Sequence, residues 1–359
     1  MHVSPIGQAL LRLDQATDPD RLRGQVSALT LDNTGNLWCA ADPLEGILRL
    51  QRQDTAGQST TRPAWGAPIS VDLAGMYELP NPGETLDLAG MDWGGDRVWF
   101  VGSQAGARLG PDPDLTEAAN SERLTRVEPV LKRCLLGYAR VSADRLPGPR
   151  DLAMLPILED GNALTRALTE DSHLGAFAAP GRVAATEGGL RIRGLAVHAG
   201  RIWLGLGAPV LGQFAVLLQI EPRDQRRGFL ELPPIGLGGR PYRKHLVDLG
   251  GLAIQDLHWR GDALLILAGP APGQSGASAL FRLRGVAGMA DDSLTLSTDH
   301  RLEPIQTLPV SPEGGQHRAL ACFDGLGQPG VLVAYGNRVP EGRGGDDGLL
   351  TDVFPLAGT

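Results

Sequence analysis

The stretch Arg193-Gly-Leu-Ala-Val-His-Ala-Gly-Arg-Ile-Trp-Leu-Gly205 carries the pattern that decides the fold of this chain. It reads as an apolar strand, a tight turn containing glycine, and a second strand that contains Trp and Leu. The same strand–turn–strand pattern recurs at residues 27–41, 89–102, 250–268 and 318–335. A repeated unit of this kind can bury its apolar faces only against neighbouring copies. The repetition therefore predicts an all-β fold, a β-propeller.

The number of blades follows from the strands that come after each copy. Third strands are predicted near residues 47–51, 134–141, 214–220, 279–283 and 349–354, with fourth strands at 69–73, 246–249 and 302–308. We predict five blades, with six as the alternative if the long interval before Arg193 hides a degenerate blade. A strand at residues 6–13 is predicted to complete the last blade and close the ring.

The repeats extend over nearly the whole chain, so we predict a single propeller domain over residues 1–359. Two insertions depart from the pattern in the second repeat, at about 106–132 and 151–177, and both contain helix-like stretches. Loops of this length in a compact domain are usually functional covers or mobile segments. Whether these two act as lids or as docking surfaces stays open.

Composition limits the function classes. The net charge is −8 and 42% of residues are hydrophobic, which excludes a disordered chain and argues against nucleic-acid binding over a broad surface. The three cysteines, Cys39, Cys134 and Cys322, have no paired spacing and are predicted to be free thiols. No apolar run reaches membrane-spanning length and the N-terminus does not resemble a signal peptide, so we expect a cytoplasmic protein without membrane contact.

Residues 190–211 and 246–257 resemble a bacterial propeller family that is catalogued only as a domain of unknown function, and the similarity extends over most of residues 26–336. The resemblance implies the fold and little about activity. Members of that family typically begin several repeats with Glu-Gly-Leu or Glu-Gly-Ile, which places a carboxylate at the start of the innermost strand. The corresponding positions here, none of them acidic, are Ser27, Ala89, Arg193, Gly250 and Arg318.

The loss of these carboxylates bears on the channel that the innermost strands line. A ring of acids could hold Ca²⁺ or another hard cation, whereas arginines and small residues cannot. We therefore expect no metal and no cofactor, and infer that any ancestral metal-dependent hydrolysis has been lost or changed. Arg193 and Arg318 would suit an anion or a partner's carboxylate. Alternatively, each arginine pairs with a nearby carboxylate such as Asp248 or Asp256.

A second set of candidates lies toward the far end of the inner strands: Asp32, Asp92, His198, Asp256, His258 and Asp324. Asp32 and Asp324 fit turn positions. Asp256 and His258 alternate on one strand face and form the best acid–imidazole pair, with a purely structural role as the alternative. Cys322 has no base beside it in the sequence, and His317 is the nearest histidine.

These observations leave three functional hypotheses. The first is a non-enzymatic protein-binding or scaffold module in a multi-protein bacterial system, with an unidentified protein partner. The second is a divalent-metal-dependent hydrolase of the phosphoesterase or lactonase type with its site in the channel. The third is a small-anion sensor that uses Arg193 and Arg318.

Overall fold

The structure is a computed structural model that describes residues 4–13, 22, 24–41, 44–53, 62–77, 86–142, 145–179, 181, 183–225, 228–310, 315–336, 344–345 and 348–356. Within these residues the chain is mainly antiparallel β-strand, arranged in units that follow one another along the sequence. Each unit starts with an innermost strand and runs outward. This arrangement confirms the predicted propeller fold.

In each of the first two units the strands lie side by side in the order in which they occur in the sequence, as predicted. The first consists of β2 (Val26–Leu31), β3 (Leu37–Ala41), β4 (Gly46–Arg52) and β5 (Ala64–Asp72). The second consists of β6 (Leu88–Gly94), β7 (Arg97–Gly102), β10 (Leu136–Arg140) and β11 (Leu152–Met154).

The third and fourth units continue the pattern, and the third gains a parallel strand at its outer edge. The third contains β12 (Arg191–His198), β13 (Arg201–Ala208), β14 (Phe214–Ile220), β17 (Arg243–Asp248) and β21 (Ser293–Thr295). The fourth contains β18 (Ala253–Arg260), β19 (Ala263–Gly269), β20 (Ser278–Arg284) and β22 (Leu302–Leu308). Strands β15 (Arg223–Asp224) and β16 (Leu230–Glu231) form a separate small hairpin.

The last unit is completed by a strand from the opposite end of the sequence. It contains β23 (Gln316–Cys322), β24 (Gly330–Gly336) and β26 (Gly348–Pro355), with the short β25 (Gly344–Gly345) beside β26. Strand β1 (Gly7–Leu11) pairs antiparallel with β26, and it also pairs parallel with β5 of the first unit. The predicted closing strand is confirmed, and it joins the first and last units into one nine-stranded sheet.

The innermost strands pack side by side in a cycle. Strand β2 contacts β6, β6 contacts β12, β12 contacts β18, β18 contacts β23, and β23 returns to β2. Each of the five buried apolar clusters of the described residues joins two neighbouring units of this cycle. Trp203 and Ile266, for example, pack between the third and fourth units. The described residues thus contain five innermost strands in one cycle, and the number of blades stays a prediction.

Both segments interpreted as insertions contain a helix. Helix α1 (Leu73–Met76) follows β5, and α2 (Glu117–Arg123) lies between β8 (Gly106–Arg108) and β9 (Val127–Pro129), which pair as a hairpin. The second segment contains α3 (Ala163–Thr169) and α4 (Gly175–Ala178). Leu164, Leu168 and Leu174 from this segment are buried between the second and third units. No helix in the described part of the chain has both the length and the apolar character that a membrane crossing requires.

Candidate functional site

Each innermost strand contains an irregularity near its start, where one residue is skipped in the pairing with the second strand. Such β-bulges redirect a side chain and often occur beside functional sites. The skipped residues, one per unit, are Ser27, Ala89, Arg193, Gln255 and Arg318.

The sequence-based assignment of Gly250 to this set was wrong. Strand β18 begins only at Ala253, because Gly250 and Gly251 have φ of +67° and +86° and belong to the turn before it. The register therefore gives Gln255 the position that was expected for Gly250. The conclusion that this position lacks a carboxylate is unchanged.

Glycines near the ends of the second strands make room for the long side chains at these bulges. A Cβ at Gly207 would lie 2.4 Å from Cγ of Arg193, and a Cβ at Gly336 would lie 3.0 Å from Cγ of Arg318. Only glycine allows the arginine stem to cross the neighbouring strand so closely.

A cavity of about 260 Å³ opens where the starts of β12, β18 and β23 meet, and we call it the mouth cavity. Its polar side chains are those of Thr186, Arg191, Arg193, Gln255 and Gln316, and its described lining contains no Asp or Glu. Guanidinium groups remain protonated throughout the physiological pH range. The mouth cavity is therefore a positive site on a chain whose net charge is −8.

Arg193 is only 7% exposed, and its buried Nη1 has no hydrogen-bond partner among the described residues. The alternative partners considered from the sequence are engaged elsewhere. Asp248 accepts backbone N–H bonds from Gly250 and Ser297, and Asp256 accepts them from Leu257 and Leu320. An unpaired buried donor costs free energy, so this guanidinium is suited to a ligand. Arg318 is buried as well, but it does not line the mouth cavity.

A second polar cluster lies further along the inner strands and is organised around Asp92 of β6. Its carboxylate accepts hydrogen bonds from Thr30 Oγ1 at 3.1 Å, from Trp93 N at 2.8 Å and from Val197 N at 2.8 Å. These donors belong to the first, second and third units. One carboxylate therefore connects three blades.

His258 of β18 reaches the same carboxylate from the fourth unit, with its Nδ1 3.4 Å from Asp92 Oδ1. Burial opposes a charge on His258, but Cys322 and Asp92 outweigh it and raise the pKa of His258 to about 10. Burial raises the pKa of Asp256 well above its usual value. Asp256 and His258 therefore do not act as a pair: Asp256 accepts hydrogen bonds from backbone amides, whereas His258 faces Asp92.

A third network fixes the second insertion to the third unit. Lys244 is 1% exposed, and its Nζ lies 2.6 Å from Oδ1 of the fully buried Asp171 in the loop between α3 and α4. Tyr242 Oη donates to the same carboxylate at 2.7 Å, and Arg240 Nη1 lies 3.2 Å from it. Every polar atom of Asp171 is engaged, so we interpret this network as a structural anchor. The sequence did not indicate it.

The remaining sequence candidates have local roles. Asp32 accepts hydrogen bonds from the backbone N–H of Thr34 and Asn36 and from Trp38 Nε1, so it organises its turn as predicted. His198 stacks on Trp259 with ring centroids 4.2 Å apart. Among the described residues, no three His, Cys, Asp or Glu side chains are grouped so that they could hold a metal ion.

The ring of blades, the channel and its positive mouth define a β-propeller with a polar site at one end of the channel. The chain belongs to the family described as "Protein of unknown function (DUF3616)", whose model matches residues 25–352. The resemblance seen in the sequence is therefore confirmed. No curated protein matches the sequence.

Several solved structures are similar to this chain. The PQQ-bound aldose sugar dehydrogenase from Streptomyces coelicolor is 13% identical with a TM-score of 0.39, over 99% of this chain and 97% of that one. A protein of unknown function from Dyadobacter fermentans is 12% identical with a TM-score of 0.41, over 99% and 83%. Virginiamycin B lyase from Staphylococcus aureus is 12% identical with a TM-score of 0.33, over 95% and 97%. At these identities and TM-scores the similarity says nothing about the chemistry.

Proposed function

We propose that this propeller is a ligand-binding protein whose mouth cavity takes a small anion that carries a carboxylate or a phosphate. The observation that supports the proposal is the buried guanidinium of Arg193. Its Nη1 has no hydrogen-bond partner in the described part of the chain, and the described lining of the cavity beside it contains no acid. Arg offers a planar fork of donors that matches carboxylate and phosphate oxygens. Gln255 and Gln316 add amide groups that can orient such a ligand.

The described lining of the mouth cavity favours binding over catalysis. It contains no Cys, His, Asp, Glu or Ser, and Thr186 supplies its one hydroxyl side chain. Nucleophilic or acid–base chemistry would need such a group within hydrogen-bond reach of the ligand. The residues present can hold an anion and shield it, which suits a sensor or a carrier.

Calorimetric titration with inorganic phosphate, sulfate and citrate tests this proposal. We expect at least one of these anions to bind, and Arg193→Gln to weaken its binding roughly tenfold or more, because a hydrogen bond to a charged group contributes about 1.5 to 3 kcal/mol. Arg201→Gln is the matched control, since Arg201 pairs with Glu221 outside the mouth cavity. Equal affinities of the parent and Arg193→Gln, or no binding of any of the three anions, would contradict the proposal.

A second candidate function is the protein-binding or scaffold role, which the outer edge of the third unit favours. There β21 carries Leu294, which is 50% exposed, and Leu296 follows at 47% exposure. An exposed edge strand with apolar side chains can accept a strand from another chain. We propose this edge as the docking place of a protein segment.

Substitution at this edge tests the second candidate. The double substitution Leu294→Lys and Leu296→Lys is expected to abolish the capture of partners that the parent binds from native cells. Binding would bury the two new ammonium groups, and their desolvation costs free energy. Leu115→Lys is the control, since Leu115 is 42% exposed but lies in the first insertion. Capture of the same proteins by all three forms would argue against the edge as a docking place.

A further inference from the structure

Gln255 occupies the inner-strand bulge of the fourth unit, next to the strand whose bulge carries Arg193. Gln255 is 7% exposed, and it lies in space that Gly269 of β19 leaves open, since a Cβ there would be 3.0 Å from Cγ of Gln255. Both Gln255 and Arg193 line the mouth cavity. A buried amide therefore accompanies the buried guanidinium in this cavity.

The amide of Gln255 has a fixed orientation. Its Nε2 donates a hydrogen bond to the carbonyl oxygen of Pro270 at 3.3 Å. A carbonyl oxygen only accepts hydrogen bonds, so the amide nitrogen faces Pro270 and Oε1 is directed away from it. Among the described residues, none donates a hydrogen bond to Oε1. Oε1 is therefore an acceptor that a ligand in the mouth cavity can use.

Part of the cavity wall is the turn Pro-Ala-Pro-Gly at residues 270–273. Its two prolines fix the backbone φ angle, and the backbone N–H of Gln274 donates to Ala271 O at 2.9 Å. The described lining contains no Leu, Ile, Val, Met or aromatic residue. The mouth cavity thus has a rigid wall of small residues and offers no pocket for a long hydrocarbon or aromatic group.

The volume of the mouth cavity bounds the size of its ligand. About 260 Å³ corresponds to the share of roughly nine molecules of liquid water. A bare inorganic anion fills only part of that space. A chain of about six carbon atoms with a hydroxyl group on most of them has a size of this order, and its hydroxyl groups suit a polar lining.

We propose that the mouth cavity takes a polyhydroxylated organic anion, a sugar acid or a sugar phosphate. This inference rests on the proposed function, in which Arg193 binds the anionic end of the ligand. Gln255 Oε1 accepts a hydrogen bond from a ligand hydroxyl group. An amine could fill the same acceptor, but the described lining contains no carboxylate to balance its charge. Gln255 is therefore the residue that distinguishes hydroxylated anions from plain ones.

Calorimetric titration with gluconate and with hexanoate, which has the same six-carbon chain without hydroxyl groups, tests this inference on the unaltered protein. We expect gluconate to bind roughly tenfold more tightly or better, because hexanoate leaves the buried amide of Gln255 without a ligand donor. Glucose 6-phosphate, titrated in parallel, distinguishes a phosphate from a carboxylate as the anionic end. Tighter binding of either hydroxylated anion than of hexanoate supports the inference.

Gln255→Met tests the assigned residue. The substitution keeps the length of the side chain but removes the acceptor, so the affinity for the hydroxylated anion should fall roughly fivefold, the loss of one neutral hydrogen bond. The inorganic anions that the parent binds should keep their affinity. Gln225→Met is the matched control, because Gln225 is exposed and contacts Glu231 outside the mouth cavity.

Three results would overturn the inference: no binding of gluconate or glucose 6-phosphate, affinities no higher than that for hexanoate, or an unchanged affinity in Gln255→Met. If phosphate, sulfate or citrate binds through Arg193 in any of these cases, the anion site stands and only its assignment to hydroxylated ligands fails. If none of the anions binds, both proposals fail. The comparison of gluconate with hexanoate needs no variant, so it decides the matter even if Gln255→Met does not fold.

Discussion

Asp92→Ala is expected to lower the free energy of unfolding by about 3 kcal/mol or more at pH 7. The substitution leaves the backbone N–H of Val197 without its acceptor and His258 without the buried carboxylate that faces its Nδ1. Removal of one partner of a buried charge pair typically costs about 3 to 5 kcal/mol, since the remaining charge stays desolvated. Denaturant unfolding monitored by tryptophan fluorescence measures the change.

The control for this experiment is Asp324→Ala, which removes a carboxylate that pairs with Arg260 but whose side chain is 59% exposed. An exposed pair contributes about 1 kcal/mol or less, so this variant should stay close to the parent. Asp92→Asn retains the size and one acceptor oxygen and is expected to lie between the two. If Asp92→Ala were no less stable than Asp324→Ala, Asp92 would not be the residue that connects the blades.

The same pair predicts how stability responds to alkaline pH. The pKa of His258 is raised in the folded protein, to about 10, from a usual value near 6.5. Stabilisation from the imidazolium is therefore complete below about pH 6.5 and is lost as the pH rises toward 10. Asp92→Ala removes one of the groups that raise this pKa, so its stability should depend less on pH across that window.

Asp171→Ala is the second substitution with a large expected effect, about 3 kcal/mol or more in the free energy of unfolding. The Nζ of Lys244, whose side chain is 1% exposed, would lose its closest carboxylate oxygens. Tyr242 Oη would also lose its acceptor. Because Asp171 lies between α3 and α4, we expect proteases to cut this segment faster as well.

Acid pH provides an independent measurement of the same anchor. Hydrogen bonds from Lys244 and Tyr242 outweigh burial and lower the pKa of Asp171 to about 2. A lowered folded pKa stabilises the protein above pH 4, and this contribution of about 2 kcal/mol is lost between pH 4 and pH 2. Asp160→Ala is the matched control, because Asp160 pairs with Arg166 on the same insertion but is 44% exposed. Identical acid profiles for the parent and Asp171→Ala would contradict the assigned role.

Local pattern was enough to predict the strands but not the contacts between units. The apolar pattern around Arg193 and in the other repeats reflects the burial of side chains within a hairpin. The strand positions and the closing strand β1 could therefore be predicted. The prediction for Gly250 was wrong because a pair of glycines can stand in a turn as well as at the start of a strand. The pairing of Asp92 with His258 depends on how the ring brings non-adjacent units together, which no local pattern encodes.

The pairing of β1 with β26 also sets the order of events during synthesis. Leu10 lies opposite Leu350 in the native ladder, so β1 needs a partner strand that is synthesised only after the first four units. Until β26 has been synthesised, β1 can pair only with β5, through a short parallel contact. During that time the sheet ends in an incompletely paired edge. The nascent polypeptide therefore cannot close its ring before β26 has been synthesised, and the intermediate with an unpaired sheet edge is where chaperones would be needed most.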